Sequence, residues 1–385
     1  MSHSSQPLGL VGARIFDGDT ILSDHAMILA GDRIADLRPI NGLPANIPLC
    51  RYDGGLLAPG FIDAQINGAG GVLFNEAPTV ETLKVMMRAQ SRFGTTAMLP
   101  TFITDRADIR AHAIAAVRDA IAAGVPGIVG IHLEGPFLSP LRKGAHALDL
   151  ITTMTEADVV ALIGTGLRTV LLTLAPERVA PELIARLVEG GVIVSLGHTD
   201  ARFEEAMAAV KAGARGVTHL YNAMSQLGHR EPGMVGAALA SPDLSAGIIA
   251  DGVHVHAAAL RLAIAAKAGK GKLFLVTDAM PPSAGGGDRF ELNGRIATRS
   301  GNALALEDGT LAGSDLTMDK ALRYTVNELG VELPEALRMT SLYPAEFLGL
   351  ADARGRLKQG FRADIVHLND ALEVDDVFIG GILAS

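Results

Sequence analysis

GIVGIHLEGP, residues 127–136, is an apolar run that ends on a carboxylate, Glu134. The same design recurs in VIVSLGHTD (192–200), ending on His198, in GVTHLYNA (216–223), ending on His219, and in KLFLVTDAM (272–280), ending on Asp278. Each polar residue can bind a metal or move a proton, and each follows a stretch that reads as a buried strand. Reactive residues delivered repeatedly at strand ends point to a parallel barrel, where chemistry gathers at the C-terminal rim.

Working outward, eight such runs are found: 60–67, 95–103, 127–134, 169–176, 192–198, 216–222, 246–252 and 272–279. Amphipathic, alanine-rich segments lie between most of them, at 79–92, 107–123, 155–164, 179–189, 202–212 and 256–268. Strand and helix alternating eight times is the pattern of a (β/α)8 TIM barrel, an α/β fold. Helices over 315–329 and 334–349, the second opened by Pro334, would complete the outer ring. The flanks at 8–57 and 354–385 instead carry short alternating strands with turn signals such as FDGD and AGDR. Neither is long enough for a sheet of its own, so both chain termini are expected to pair into one small β-sandwich domain. The chain is thus divided into 1–57 (first part of the sandwich), 58–353 (catalytic barrel) and 354–385 (second part).

Composition agrees with an enzyme that has ample core: 385 residues, 49% hydrophobic and 19% charged. The net charge of −9 argues against a nucleic-acid surface. Charges interrupt every long apolar stretch, which argues against a membrane span. Cys50 is the sole cysteine, so neither an intrachain disulfide nor a cysteine metal cluster can form. The start, MSHSSQPLGL, lacks a basic segment followed by an apolar one. A cytoplasmic location is expected.

Glu134, His198 and His219 offer the His2Glu ligand set of a catalytic zinc site, which keeps a fourth position open for water. Asp278 is then the carboxylate free to carry protons. Taken singly, a histidine at a strand end is more often a hydrogen-bonded structural residue, and a carboxylate after a strand is commonly a helix N-cap, as Asp200 is expected to be. Four suitable residues at four suitable strand ends change that balance. The first strand ends in Gln65 and Asn67, and amides are poor metal ligands. The fourth ends in Ala-Pro-Glu, with no lysine to bridge two ions. Both favour one metal over two. His132, two residues before Glu134, shares its strand face without being expected to ligate.

APGFIDAQINGAGG (58–71), HLEGPFLSPLRKGAH (132–146), LGHTDA (196–201), THLYNAM (218–224), HREPGMVGAAL (229–239), IADGVHV (249–255), VTDAM (276–280) and LAGSDLTMDKALR (311–323) together resemble the N-acetylglucosamine-6-phosphate deacetylases of the amidohydrolase superfamily. The likeness runs in matching order from about residue 8 to 370. HxEGP combined with a QxN first strand separates that group from dihydroorotase-like and urease-like relatives. The resemblance implies that Glu134, His198 and His219 hold one divalent metal per subunit, Zn2+ first, with Fe2+, Co2+ or Mn2+ as alternatives. It implies that Asp278 is the catalytic acid–base and that His146 polarises the reacting amide and touches the sugar. It also implies that Gln65, Asn67, Asn222, the Ala223 amide and His254 contact substrate, and that Arg230 reaches the phosphate across a homodimer interface. His256 is expected to be structural or solvent-facing.

The reaction so implied is hydrolysis of the acetamide of N-acetyl-D-glucosamine 6-phosphate to D-glucosamine 6-phosphate and acetate, in amino-sugar catabolism. Two other readings stand beside it: a deacetylase for a related amino-sugar phosphate such as the galactosamine epimer, and a catalytically inactive sugar-phosphate-binding protein. The glycines of SAGGGD (283–288) would let the loops 136–150 and 281–310 move over substrate.

Overall fold

The computed structural model describes residues 6–301 and 303–384; residues 1–5 and 385, assigned above to the flanking segments, and residue 302 lie outside it. All eight expected barrel strands are present: β1 (Phe61–Ile66), β2 (Thr95–Ile103), β3 (Ile131–Glu134), β4 (Val170–Leu174), β5 (Ile193–Leu196), β6 (Gly216–Val217), β7 (Ser245–Ile248) and β8 (Leu273–Leu275). They form one sheet in chain order, every pairing parallel. A parallel bridge from Ile66 to Ala279 brings the last strand back to the first. The strands read as continuous apolar runs because helices cover one face and the barrel interior fills the other.

Outer helices match the amphipathic segments. In α1 (Val80–Ser91), Leu83, Met86, Met87 and Gln90 are buried, the spacing of one helical face. The Thr79 hydroxyl accepts the Thr82 N–H and caps its start. Two expectations differ, and one helix carried none. The helix read at 334–349 is two, Leu333–Thr340 and Leu342–Leu348. Pro344 has no N–H to give and its ring clashes with the carbonyl of residue 340, so the helix cannot run through. Gly233–Ala240 is a further helix, quoted above only as a motif. Residues 233–238 are all buried, so it has no polar face and no amphipathic period to read. The segment read as a mobile loop at 281–310 carries a three-stranded antiparallel sheet, β9 (Arg289–Leu292), β10 (Arg295–Ser300) and β11 (Ala303–Leu306). Its alternating apolar residues Phe290, Leu292, Ala297, Leu304 and Leu306 bury against Leu73, Ile103, Met280 and Ala312.

Beside the barrel, strands from both ends of the chain share a six-stranded sheet. There Ile365–Leu368 pairs with Leu56–Pro59, which pairs in turn with Arg14–Phe16. A second, four-stranded sheet is drawn from residues 8–51. Leu10, Ile15, Met27, Leu57, Ile365 and Phe378 fill one apolar core from the two sheets, the arrangement of a sandwich. Among the described residues, no helix is long and apolar enough to cross a membrane.

Candidate metal centre and its cleft

Glu134 is the last residue of β3, while His198 and His219 lie two residues past β5 and β6 and Asp278 three past β8. His198, His219 and Asp278 have φ of +47°, +32° and +51°, in the left-handed region that side chains other than glycine rarely enter. The chain turns sharply as it leaves each strand.

The three proposed ligands converge. Glu134 Oε1 is 3.2 Å from His198 Nε2 and 3.0 Å from His219 Nε2, and the two imidazole nitrogens are 3.0 Å apart. His198 Nδ1–H donates to the Arg142 carbonyl at 2.9 Å, which orients the ring with Nε2 facing inward. Two ring nitrogens and a carboxylate oxygen crowded on one point repel unless protons or a cation sit between them. Bonds of about 2.05 Å in a tetrahedral zinc site place ligand atoms about 3.3 Å apart, close to the spacing found here. His219 Nδ1 is buried without a hydrogen-bond partner among the described residues. The donor set fits a divalent ion. Burial alone would raise the Glu134 carboxyl, but hydrogen bonds and charge from His198 and His219 hold it well below the usual range. Burial likewise opposes the charged form of His219, and Glu134 overcomes it, raising the ring above its ordinary value.

Asp278 stands beside this group. Its Oδ1 accepts Asn67 Nδ2 at 2.7 Å and Gln65 Nε2 at 3.2 Å. The Gln65 amide also donates to Glu134 Oε1 at 3.1 Å. Burial, followed by the charge of Glu134, pushes the Asp278 carboxyl up to about 6, near the pH where it would both take and give a proton. His146 Nδ1 accepts the Thr104 N–H at 3.4 Å and lies 2.8 Å from its hydroxyl. The neutral ring then carries its proton on Nε2. Burial and the nearby His198 charge keep His146 uncharged.

A cleft of about 390 Å³ opens over these groups. Asn67, His146, Asn222, Ala223 and His254 line it together with Glu134, His198, His219 and Asp278. His254 Nδ1 is bound to Asp251 at 2.6 Å, which leaves Nε2 for a ligand. Two expected substrate contacts stand elsewhere. Gln65 lies beneath the cleft, its amide engaged by the two carboxylates. Arg230 is exposed on the 228–231 turn and does not line the cleft of its own chain. Asp200 pairs with Arg142 at 2.8 Å instead of capping the next helix, whose N-cap is Arg202. His256 caps the helix Ala257–Ala266, a structural role. The backbone carbonyl of Arg142, Thr104 and Asp251 escaped the sequence reading. Only Asp251 left a trace, three residues before His254 in ADGVH.

Comparisons with known proteins bear on this site. Residues 56–383 match the model of the amidohydrolase family, and residues 9–57 match the NagA composite domain. The chain is 45% identical to the N-acetylgalactosamine-6-phosphate deacetylase of Shewanella sp. (strain ANA-3), over 94% of this chain and 92% of that one. The crystal structure of N-acetylglucosamine-6-phosphate deacetylase from Pasteurella multocida superposes with a TM-score of 0.94 at 34% identity, covering 98% of this chain and 99% of that one. An aspartate-to-alanine mutant of N-acetyl-D-glucosamine-6-phosphate deacetylase from Mycobacterium smegmatis, in complex with N-acetyl-D-glucosamine 6-phosphate, superposes at 0.89 with 31% identity, covering 99% and 100%.

Proposed function

The chain belongs to the amidohydrolase family, and on that premise we propose that its cleft hydrolyses the acetamide of N-acetyl-D-glucosamine 6-phosphate, giving D-glucosamine 6-phosphate and acetate. The observation that carries this reading is the convergence of Glu134, His198 and His219 with Asp278 tethered alongside. Those three residues would hold one divalent ion, Zn2+ first by its liking for His2Glu sets. When bound, that ion supplies Lewis acidity, polarising a carbonyl and making water a stronger acid.

The remaining roles fall to the chain itself. Asp278 takes the proton of the attacking water and returns it to the departing amine. His146 donates its Nε2–H to the oxygen that gains charge as the carbonyl is attacked. Asn67, hydrogen-bonded to Asp278, fixes the orientation of that carboxylate. Asn222, the Ala223 backbone and His254 line the side of the cleft that would take the sugar and phosphate. Arg230, exposed on its own subunit, would serve the partner's cleft in a homodimer, a planar fork of donors suited to phosphate. The single Cys50 is in keeping with a cytoplasmic enzyme.

Metal analysis paired with an acetate-release assay on N-acetylglucosamine 6-phosphate tests the proposal: one ion per chain and metal-dependent release are expected. Metal-free protein that stays inactive with added Zn2+, Fe2+, Co2+ or Mn2+ would favour a binding protein. Arg230→Ala is expected to raise KM for the phosphorylated sugar roughly tenfold or more, and not for the unphosphorylated one, as loss of a charge-assisted contact implies. An equal effect on both would remove Arg230 from the phosphate site.

The 45% identity to a galactosamine-type deacetylase supports a second reading, in which the 4-epimer is the preferred substrate. The ratio of kcat/KM for the two 6-phosphate epimers decides between them.

A further inference from the structure

One wall of the cleft is apolar. Ile103 at the end of β2, Met280 beyond β8, Leu292 at the end of β9, and Ala145 face the cavity. All four also belong to, or pack against, the cluster that carries the three-stranded insert. Leu73, Phe290 and Leu304 back the wall from behind. Around the ring of eight strands, β2 stands four places from β6, whose loop supplies Asn222 and Ala223. Ile103 therefore stands opposite Asn222 and Ala223, and Met280 and Leu292, which follow β8, carry the wall round toward the strand before His254.

We propose that this wall is the acyl subsite, that it seats the methyl of the acetyl group and limits the acyl chain the enzyme accepts, and that Leu292 is its specificity-determining residue. The inference rests on the deacetylase reading above. A phosphorylated N-acetyl amino sugar carries hydroxyls, a phosphate and one wholly apolar group, the acetyl methyl. In an amide, the nitrogen with its sugar and the methyl sit on different sides of the carbonyl carbon. With the sugar and phosphate toward Asn222, Ala223 and His254, and the carbonyl held between the metal-binding group and Asp278, the methyl faces β1, β2 and β8. That is where the wall stands.

The wall is also stiff. Leu292 meets the cleft with only a small edge, 1% exposed, and the rest of its side chain is packed into the core of the insert. The insert is tied to the 136–150 loop by Arg295, which donates to the Ala145 carbonyl. Gly313 (φ +63°) packs so closely on Met280 that a Cβ there would lie 2.6 Å from its Cγ. A surface held on three sides cannot retreat to admit a longer chain, and in a well-packed pocket one methylene changes kcat/KM by roughly 10–200-fold.

The test measures kcat/KM for the N-formyl, N-acetyl, N-propionyl and N-butyryl derivatives of glucosamine 6-phosphate. The wild type is expected to prefer acetyl over propionyl by about tenfold or more. Leu292→Ala should erode that preference by about tenfold, and Leu292→Phe should move it toward formyl. Ile296→Ala trims an exposed residue of the same insert that neither lines the cleft nor packs behind the wall, so its acetyl-to-propionyl ratio should stay within about twofold of wild type. The proposal is overturned if both Leu292 variants keep the wild-type ratios, or if Ile296→Ala shifts them as far. A wild type that cleaves the whole series without acyl preference overturns the subsite alone. One that cleaves neither this series nor the matching galactosamine 6-phosphate series overturns the deacetylase reading and the subsite with it.

Discussion

Two polar layers lie one above the other in this barrel, built from the same strands and much the same residue types, yet they use their polar groups differently. In the interior layer, His132 bonds Thr101 at 3.2 Å and Thr173 at 2.7 Å. Thr173 bonds Thr218, which bonds Ser195. Asp63 accepts the Thr277 hydroxyl and the N–H groups of Gln65 and Thr277. At the mouth, Glu134 follows His132 by two residues on the same face of β3, His219 follows Thr218, and Asp278 follows Thr277. There the partners run out: nitrogens face nitrogens at 3.0 Å, and Asn67 Oδ1 and His219 Nδ1 have none among the described residues. The lower layer spends its polar groups on one another and holds the fold. The upper layer leaves some of them without partners among the described residues. Burial also pushes His132 down to about 4, so it stays neutral at physiological pH and needs no counterion.

This contrast is sharpened most by Asp278→Asn. The variant should bind metal and substrate much as before, yet lose roughly 10²–10⁴ in kcat, the usual share of a proton-transferring group. Near-normal turnover would sink the acid–base assignment. Paired substitutions on the two layers come next. His198→Ala should lower the metal content of purified protein with a modest change in folding stability. His132→Ala should do the reverse, costing about 2–4 kcal/mol in urea unfolding through a cavity and a stranded hydroxyl while metal content holds. If His132→Ala empties the metal site as well as His198→Ala does, the layers are not separable.

A further test of the lower layer concerns Asp63, which burial raises from an ordinary 3.8 to about 7. The folded protein then holds a proton that the unfolded chain has released. The stability this contributes is full below about pH 3.8 and declines as pH rises to about 7, by at most about 1.4 kcal/mol per pH unit. Asp63→Asn should flatten that part of the stability–pH curve. Urea titrations at about pH 5, 6, 7 and 8 that give parallel losses in both proteins would remove Asp63 from the account.

Much of this arrangement is legible in the sequence because the barrel repeats one pattern, and a carboxylate or imidazole after a buried run stands out against it. What stays hidden has definite causes. The helix Gly233–Ala240 is apolar all round and shows no periodicity. The β9–β11 insert follows a run of glycines that reads as loop, and its strands are short. Gln65 is expected to touch substrate only through the family resemblance, its residue type saying no more than that an amide is a poor metal ligand. Only coordinates place its Nε2 between two carboxylates. The tethering of His198 by a backbone carbonyl is invisible in principle, since every residue has one. Arg230 shows the opposite limit: resemblance implies a role that a single chain's cleft leaves outside its walls.

Left-handed backbone narrows what a position can become. Holding histidine or aspartate there costs on the order of 1–3 kcal/mol each, which glycine would largely recover. Drift at positions 198, 219 and 278 therefore has a downhill direction, toward a hardier protein that no longer works. A laboratory lineage selected for heat resistance alone should shed these side chains early, and a valine or isoleucine, whose branched Cβ tolerates that region worst, should be the replacement seldom found.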